Sequence, residues 1–172
     1  MLSLFLAARY RKPGAIIFGI LVATLANHAL AGLAGAWVRS ALGPDVLRWL
    51  LGGSLLVIAT WTLKPDRLDN DPRPAGRYGV FALTLVVFFL AEMGDKTQVA
   101  TVVLAAQYAS LSAVVVGTTL GMMLANVPVV LLGSRFSRRI PYRAVRFAAA
   151  ALFAILGVAM LAGLGSGAGF PA

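Results

Sequence analysis

Five apolar segments set the terms for this chain. A helix that crosses a bilayer needs about 20 mostly apolar residues. Residues 14–38, 46–63, 111–134 and 144–164 each suit that role. The fifth segment, 78–108, overshoots it. Its 31 residues would extend about 46 Å, against a hydrocarbon core about 30 Å thick. It must tilt, protrude or break. Met93-Gly94-Asp95 is the place to break, because glycine weakens a helix interior. Residues 1–10 form a sixth, incomplete segment. The composition agrees: 60% of residues are hydrophobic and 12% charged, with a mean hydropathy of +0.87. That is about half the charge of a soluble domain. The expected fold is an all-α polytopic membrane protein with five full spans and a truncated first helix. The absence of cysteine excludes disulfides and thiolate metal sites. The start, MLSLFLAARYRKPG, lacks the basic n-region of a signal peptide.

Five connections join the segments, and the first, third and fifth must share one side. They carry Arg9, Arg11 and Lys12; Lys64, Arg67, Arg73 and Arg77; and Arg135, Arg138, Arg139, Arg143 and Arg146. These twelve basic residues face only Arg39 and Arg48 on the other side. The positive-inside rule therefore makes loops 9–13, 64–77 and 135–146 cytoplasmic, in a multi-pass protein of the inner membrane. The same partition accounts for a net charge of +9 without a nucleic-acid partner. Trp37, Trp49 and Trp61 fall near segment ends, as interfacial belts require.

The sequence also repeats. LAARY at 6–10 matches LAAQY at 104–108, and Ala15–Gly19 matches Ala113–Gly117, both at an offset of 98. LAN at 25–27 matches LAN at 124–126 at an offset of 99. Each copy holds three hydrophobic segments. An odd number of spans per copy forces opposite orientations, giving two inverted three-helix repeats of the secondary-transporter kind. The domain reading is a first repeat over 1–63, truncated at its N-terminus, a cytoplasmic linker over 64–77, a second repeat over 78–164, and a flexible Gly-rich tail over 165–172.

The chemistry concentrates in AEMGDKTQ, residues 91–98. Of the six acidic residues, Asp45, Asp66, Asp69 and Asp71 fall in loops. Glu92 and Asp95 are the intramembrane carboxylates. On a continuous helix they would share a face. If the helix breaks at Gly94, Asp95 starts the second half, with freed carbonyls nearby. Carboxylates, carbonyls and the Thr97 hydroxyl are hard oxygen ligands that suit calcium, manganese or magnesium. Charge at this depth costs at least about 2.5 kcal/mol per residue and usually serves an ion or proton path. The competing reading is a Glu92–Lys96 brace at i,i+4 that binds nothing. Lys96 could also lower the carboxylate pKa values or act as a tethered cation.

Around that core, Gln98, Asn27 and Asn126 are candidate supporting residues, the two asparagines occupying equivalent places in the repeats. Their alternative is an interhelical hydrogen bond. His28 reads as a packing residue, with a proton relay as its alternative. Gly117 and Gly121 form a close-packing G-x-x-x-G, and Pro128 is placed to kink its helix. No serine–histidine–acid grouping, phosphate-cradling loop or H-E-x-x-H is present, so no enzyme activity and no resident cofactor are expected.

Glu92-Met93-Gly94-Asp95-Lys96-Thr97 matches E-x-G-D-K/R-T/S, and GILVATLANHAL and GTTLGMMLANVPVV extend the likeness over the whole chain. In these residues the protein resembles the Gdt family of membrane cation exchangers, in the lysine-exporter superfamily. The resemblance implies six or seven spans in two inverted halves, each with one motif copy. It also implies export of manganese or calcium in exchange for protons, and a cation site to which Glu92, Asp95 and Thr97 contribute. The first motif copy is absent: its counterpart would precede Met1. A late start, a true truncation or a second chain that supplies the missing acids each account for that. This chain alone is expected to transport poorly. An exporter of another small substrate, such as a basic amino acid, and a non-transporting membrane scaffold stand as alternatives. Manganese or calcium, stoichiometry and self-association stay open at this level.

Overall fold

A computed structural model describes residues 2–64, 79–137 and 141–163. These form seven helices: α1 (Leu2–Tyr10), α2 (Pro13–Ala41), α3 (Pro44–Thr62), α4 (Val80–Glu92), α5 (Lys96–Gln107), α6 (Leu111–Ser137) and α7 (Tyr142–Leu161). No strand occurs among the described residues. The expected tail over 165–172 and nearly all of the 64–77 linker lie outside them.

The long segment breaks where the sequence places the break. α4 ends at Glu92 and α5 begins at Lys96. Gly94 has φ +81°, a left-handed conformation that glycine adopts without strain. Two bonds pin the restart. The Asp95 side chain accepts from the Thr97 N–H, and the Gly94 N–H donates to Gln98 Oε1 at 2.6 Å. This is close to a capping box, with an acid at the N-cap and an amide three residues on.

Among the described residues, three helical stretches are long and apolar enough to cross a membrane: Pro13–Ala41, Leu111–Leu132 and Arg143–Leu161. α4 is apolar but shorter, at 13 residues. α3 has 19 residues and carries Asp45 and Arg48 near its start. α6 continues through Pro128. The two stretches α1–α2–α3 and α5–α6–α7 repeat one order of lengths: 9, 29 and 19 residues, then 12, 27 and 20.

The chain forms two compact units. The first contains α1, α2 through His28, α4 with Met93, and α6 from Val116. Its core joins Leu2 and Leu6 of α1, Ile16, Ile20 and Ala23 of α2, Phe88 of α4 and Val130 of α6. Phe18 stacks on Phe81, with ring centroids 5.4 Å apart. A methyl group at Gly19 would meet Thr84 and the Phe81 carbonyl, so α2 lies hard against α4 there. With Phe18 beside Phe81 and Thr24 beside Glu92, α2 and α4 run in the same direction.

The second unit contains α2 from Ala29, α3, Gly94 with α5, α6 through Val115, and α7. Leu47, Leu51, Leu55 and Ile58 form one stripe of α3, packed on Ala100, Val103 and Ala106 of α5 and on Met160 of α7. Their spacing of three and four residues is that of one helix face. Gly52 and Gly157 let the backbones of α3 and α7 approach, since a methyl group on Gly157 would lie 3.0 Å from the Gly52 carbonyl oxygen. Gly163 lies near Arg48, and Arg146 donates to the Leu63 carbonyl, so α3 and α7 run antiparallel. The expected packing of the Gly117–Gly121 pair is not found: a methyl group on either would meet nothing within 4 Å among the described residues. The helix interfaces close instead on glycines with no such spacing.

Candidate functional site

In the first unit the site is built on the end of α4. Glu92 is its last residue and is only 8% exposed. A carboxylate at a helix C-terminus faces the negative end of the macrodipole and the unpaired carbonyls of the last turn. It therefore needs compensation. Thr24 Oγ1, on α2, donates to the carboxylate, with Oε2 at 3.1 Å and Oε1 at 3.3 Å. One turn on, Asn27 Nδ2 donates to the Phe89 carbonyl at 3.2 Å. Both residues are fully buried. His28 follows on the same face, buried, with Nδ1 3.4 Å from Thr119 Oγ1 of α6. Thr24, Asn27 and His28 lie at i, i+3 and i+4, which aligns them along one side of a helix.

The second unit holds the rest of the motif. Asp95 is the N-cap of α5, and its Oδ2 lies 3.1 Å from Thr97 Oγ1 and 3.4 Å from Thr97 N. A carboxylate is well placed there, at the positive end of a helix. Lys96 Nζ reaches the Lys64 carbonyl at 3.5 Å, just past the end of α3. Arg146 Nη1 donates to the neighbouring Leu63 carbonyl at 3.3 Å. Two cations thus attend the negative end of α3.

The candidate residues thus fall into distinct settings. Glu92 ends α4, whose last turn Asn27 of α2 holds at the Phe89 carbonyl, while Asp95, Thr97 and Gln98 form one local cluster. Asn126, the expected repeat counterpart of Asn27, donates within its own helix to the Met122 carbonyl at 3.0 Å. The helix breaks between Glu92 and Lys96, so the two do not share the i,i+4 register of one helix. Among the described residues no group of three or more His, Cys, Asp or Glu side chains is placed to hold a metal ion. A bound cation would draw on hydroxyl and carbonyl oxygens as well as on the acids.

Sequence reasoning missed Thr24. The signal was present: Thr24, Asn27 and His28 put polar groups on one face of an otherwise apolar helix. It also missed the capping role of Gln98, which the D-x-x-Q spacing of Asp95 and Gln98 announces.

A multi-pass membrane protein with a carboxylate buried at a helix break is the class that fold and site define. The family follows from the sequence. The family described as "Divalent cation/proton antiporter GDT1" matches residues 1–70 and 80–167, and the chain belongs to it. It is 52% identical over 160 residues to a protein of Vibrio cholerae serotype O1 named "Putative manganese exporter". That alignment covers 92% of this chain and 80% of the relative. No solved structure matches.

Proposed function

We propose that this antiporter exports manganese from the cytoplasm in exchange for protons, with calcium as the second candidate cargo. The observation that carries the reading is the break at Met93–Asp95. A helix end within a bilayer is costly unless something uses its unpaired carbonyls. Here it carries a buried carboxylate as well, and together they make a negative, hard-oxygen environment suited to such cations. The name of the Vibrio cholerae relative favours manganese. Glu92, Asp95 and Thr97 are the proposed ligands, with Asn27, Asn126, Lys96 and Gln98 as supporting residues. No resident cofactor, catalytic reaction or nucleic-acid partner enters the reading, and the surroundings are the lipid bilayer.

Residues 1–63 and 78–164 are proposed as two inverted repeats joined by 64–77. The antiparallel course of α3 and α7, which the repeat makes equivalent, supports the inversion. Helix directions favour one side for the basic loops: within the first unit α2 and α4 run in the same direction, and within the second α3 and α7 run antiparallel. The charge asymmetry makes that side cytoplasmic. Labelling of single cysteines in the 64–77 and 135–146 loops is expected from the cytoplasm only; periplasmic labelling of either overturns the orientation.

Manganese and calcium flux into proteoliposomes under an imposed proton gradient, in a preparation whose unsubstituted form transports, tests the site. Glu92→Gln and Asp95→Asn keep size and remove a negative charge. Each is expected to abolish flux while leaving the protein folded. Flux at the unsubstituted level from either variant ends the cation-site reading.

A further inference from the structure

We infer that Thr24 is the positioning residue for the Glu92 carboxylate and sets the affinity of the cation site. The inference rests on the reading of Glu92 as a cation ligand and extends it to another helix. Three facts carry it. First, the hydroxyl is spent on the carboxylate. Buried Thr62, Thr84 and Thr101 donate to the carbonyl four residues back in their own helices, at 2.7, 2.7 and 2.9 Å. Thr24 is turned instead towards Glu92, 68 residues away in sequence. Second, the contact is dry. Thr24 is 0% exposed and Glu92 8%, so no bulk water replaces the bond if it is lost. Third, its geometry is fixed from both sides. Gly19, five residues earlier, lets α2 lie against Thr84 and the Phe81 carbonyl. Asn27, three residues later, ties α2 to the Phe89 carbonyl in the last turn of α4.

Glutamate has three rotatable side-chain bonds, and ordering it costs free energy on cation binding. A donor that already orients the carboxylate removes part of that cost, as partners of metal-binding carboxylates generally do. The repeat offers no second copy of this arrangement. At offsets of 98 and 99 the counterparts of Thr24 are Met122 and Met123, which have no hydroxyl to give.

The test is equilibrium binding of manganese chloride to the purified protein, read from the loss of the free-ion electron paramagnetic resonance signal. Thr24→Val keeps the shape and removes the hydroxyl. Thr24→Ser keeps the hydroxyl and removes a methyl group. The valine variant is expected to weaken binding about tenfold, the loss of one hydrogen bond to a charged group. The serine variant is expected to stay near the unsubstituted affinity. Unchanged affinity in Thr24→Val overturns the proposal, and so does an equal loss in both variants, which would mean that shape and not the hydroxyl matters. Thermal melting in detergent identifies a variant that has failed to fold. In that case Thr24→Cys, similar in size with a weak donor, takes its place and is expected to bind with intermediate affinity. Glu92→Gln is the separate control. Loss of binding there with unchanged binding in Thr24→Val sinks only the positioning role. Unchanged binding in Glu92→Gln sinks the cation site itself.

Discussion

Glu92 and Asp95 are three residues apart in sequence and are held in opposite ways. Glu92 ends a helix, where the dipole disfavours a carboxylate, and accepts from a hydroxyl of α2. Asp95 begins a helix, where the dipole favours one, and is held by Thr97, two residues away. One acid is positioned by tertiary packing and the other by local geometry. A glycine with positive φ separates them and makes both settings available. Two carboxylates in one motif can therefore differ in strain, solvent access and freedom to move, although the sequence presents them as a matched pair.

The contrast can be broken in several ways. The largest effect is expected on transport. Asp95→Asn should lower manganese flux by more than about 100-fold, the scale of losing a metal ligand where even a supporting partner costs about 10- to 100-fold. It should leave the melting temperature almost unchanged, because asparagine caps a helix about as well as aspartate. A large drop in melting temperature would mean that Asp95 acts through the fold and not through the cation.

Next comes the hinge. Gly94→Ala places a side chain at φ +81°, which costs on the order of 1–2 kcal/mol. Nothing lies within 4 Å of the added methyl group among the described residues, so the cost is conformational. A melting temperature equal to that of the unsubstituted protein would show that the break tolerates another backbone shape.

Smaller still is the cap alone. Asp95→Ala is expected to cost about 1 kcal/mol more than Asp95→Asn in thermal melting. Equal stabilities would remove Asp95 from the helix start. Smallest is the asparagine pair. Asn27→Ala should cost about 0.6 kcal/mol, an average interhelical bond in a membrane protein. Asn126→Ala should cost less, because its bond stays inside α6. The reverse order would restore the equivalence that the repeat suggests.

Much of this protein was written in one dimension. The apolar segments fixed the helices, because a backbone in lipid must satisfy its own hydrogen bonds. The excess length of 78–108 and Gly94 fixed the break. The spacing of Asp95 and Gln98 fixed the restart. All of these are local, set by length, hydropathy and bonds spanning a few residues. The partners of Glu92 were not local. Thr24 and Asn27 lie 68 and 62 residues from the groups they hold, and nothing in the spacing says which helix faces which. The repeat suggested equal roles for Asn27 and Asn126, and packing gave them different ones. Among the described residues it also left Gly117 and Gly121 without a close neighbour while closing α2 on α4 at Gly19. Sequence determined where each helix begins and ends. Only the tertiary structure decided which buried polar group meets which, because that depends on how helix faces are turned once they pack.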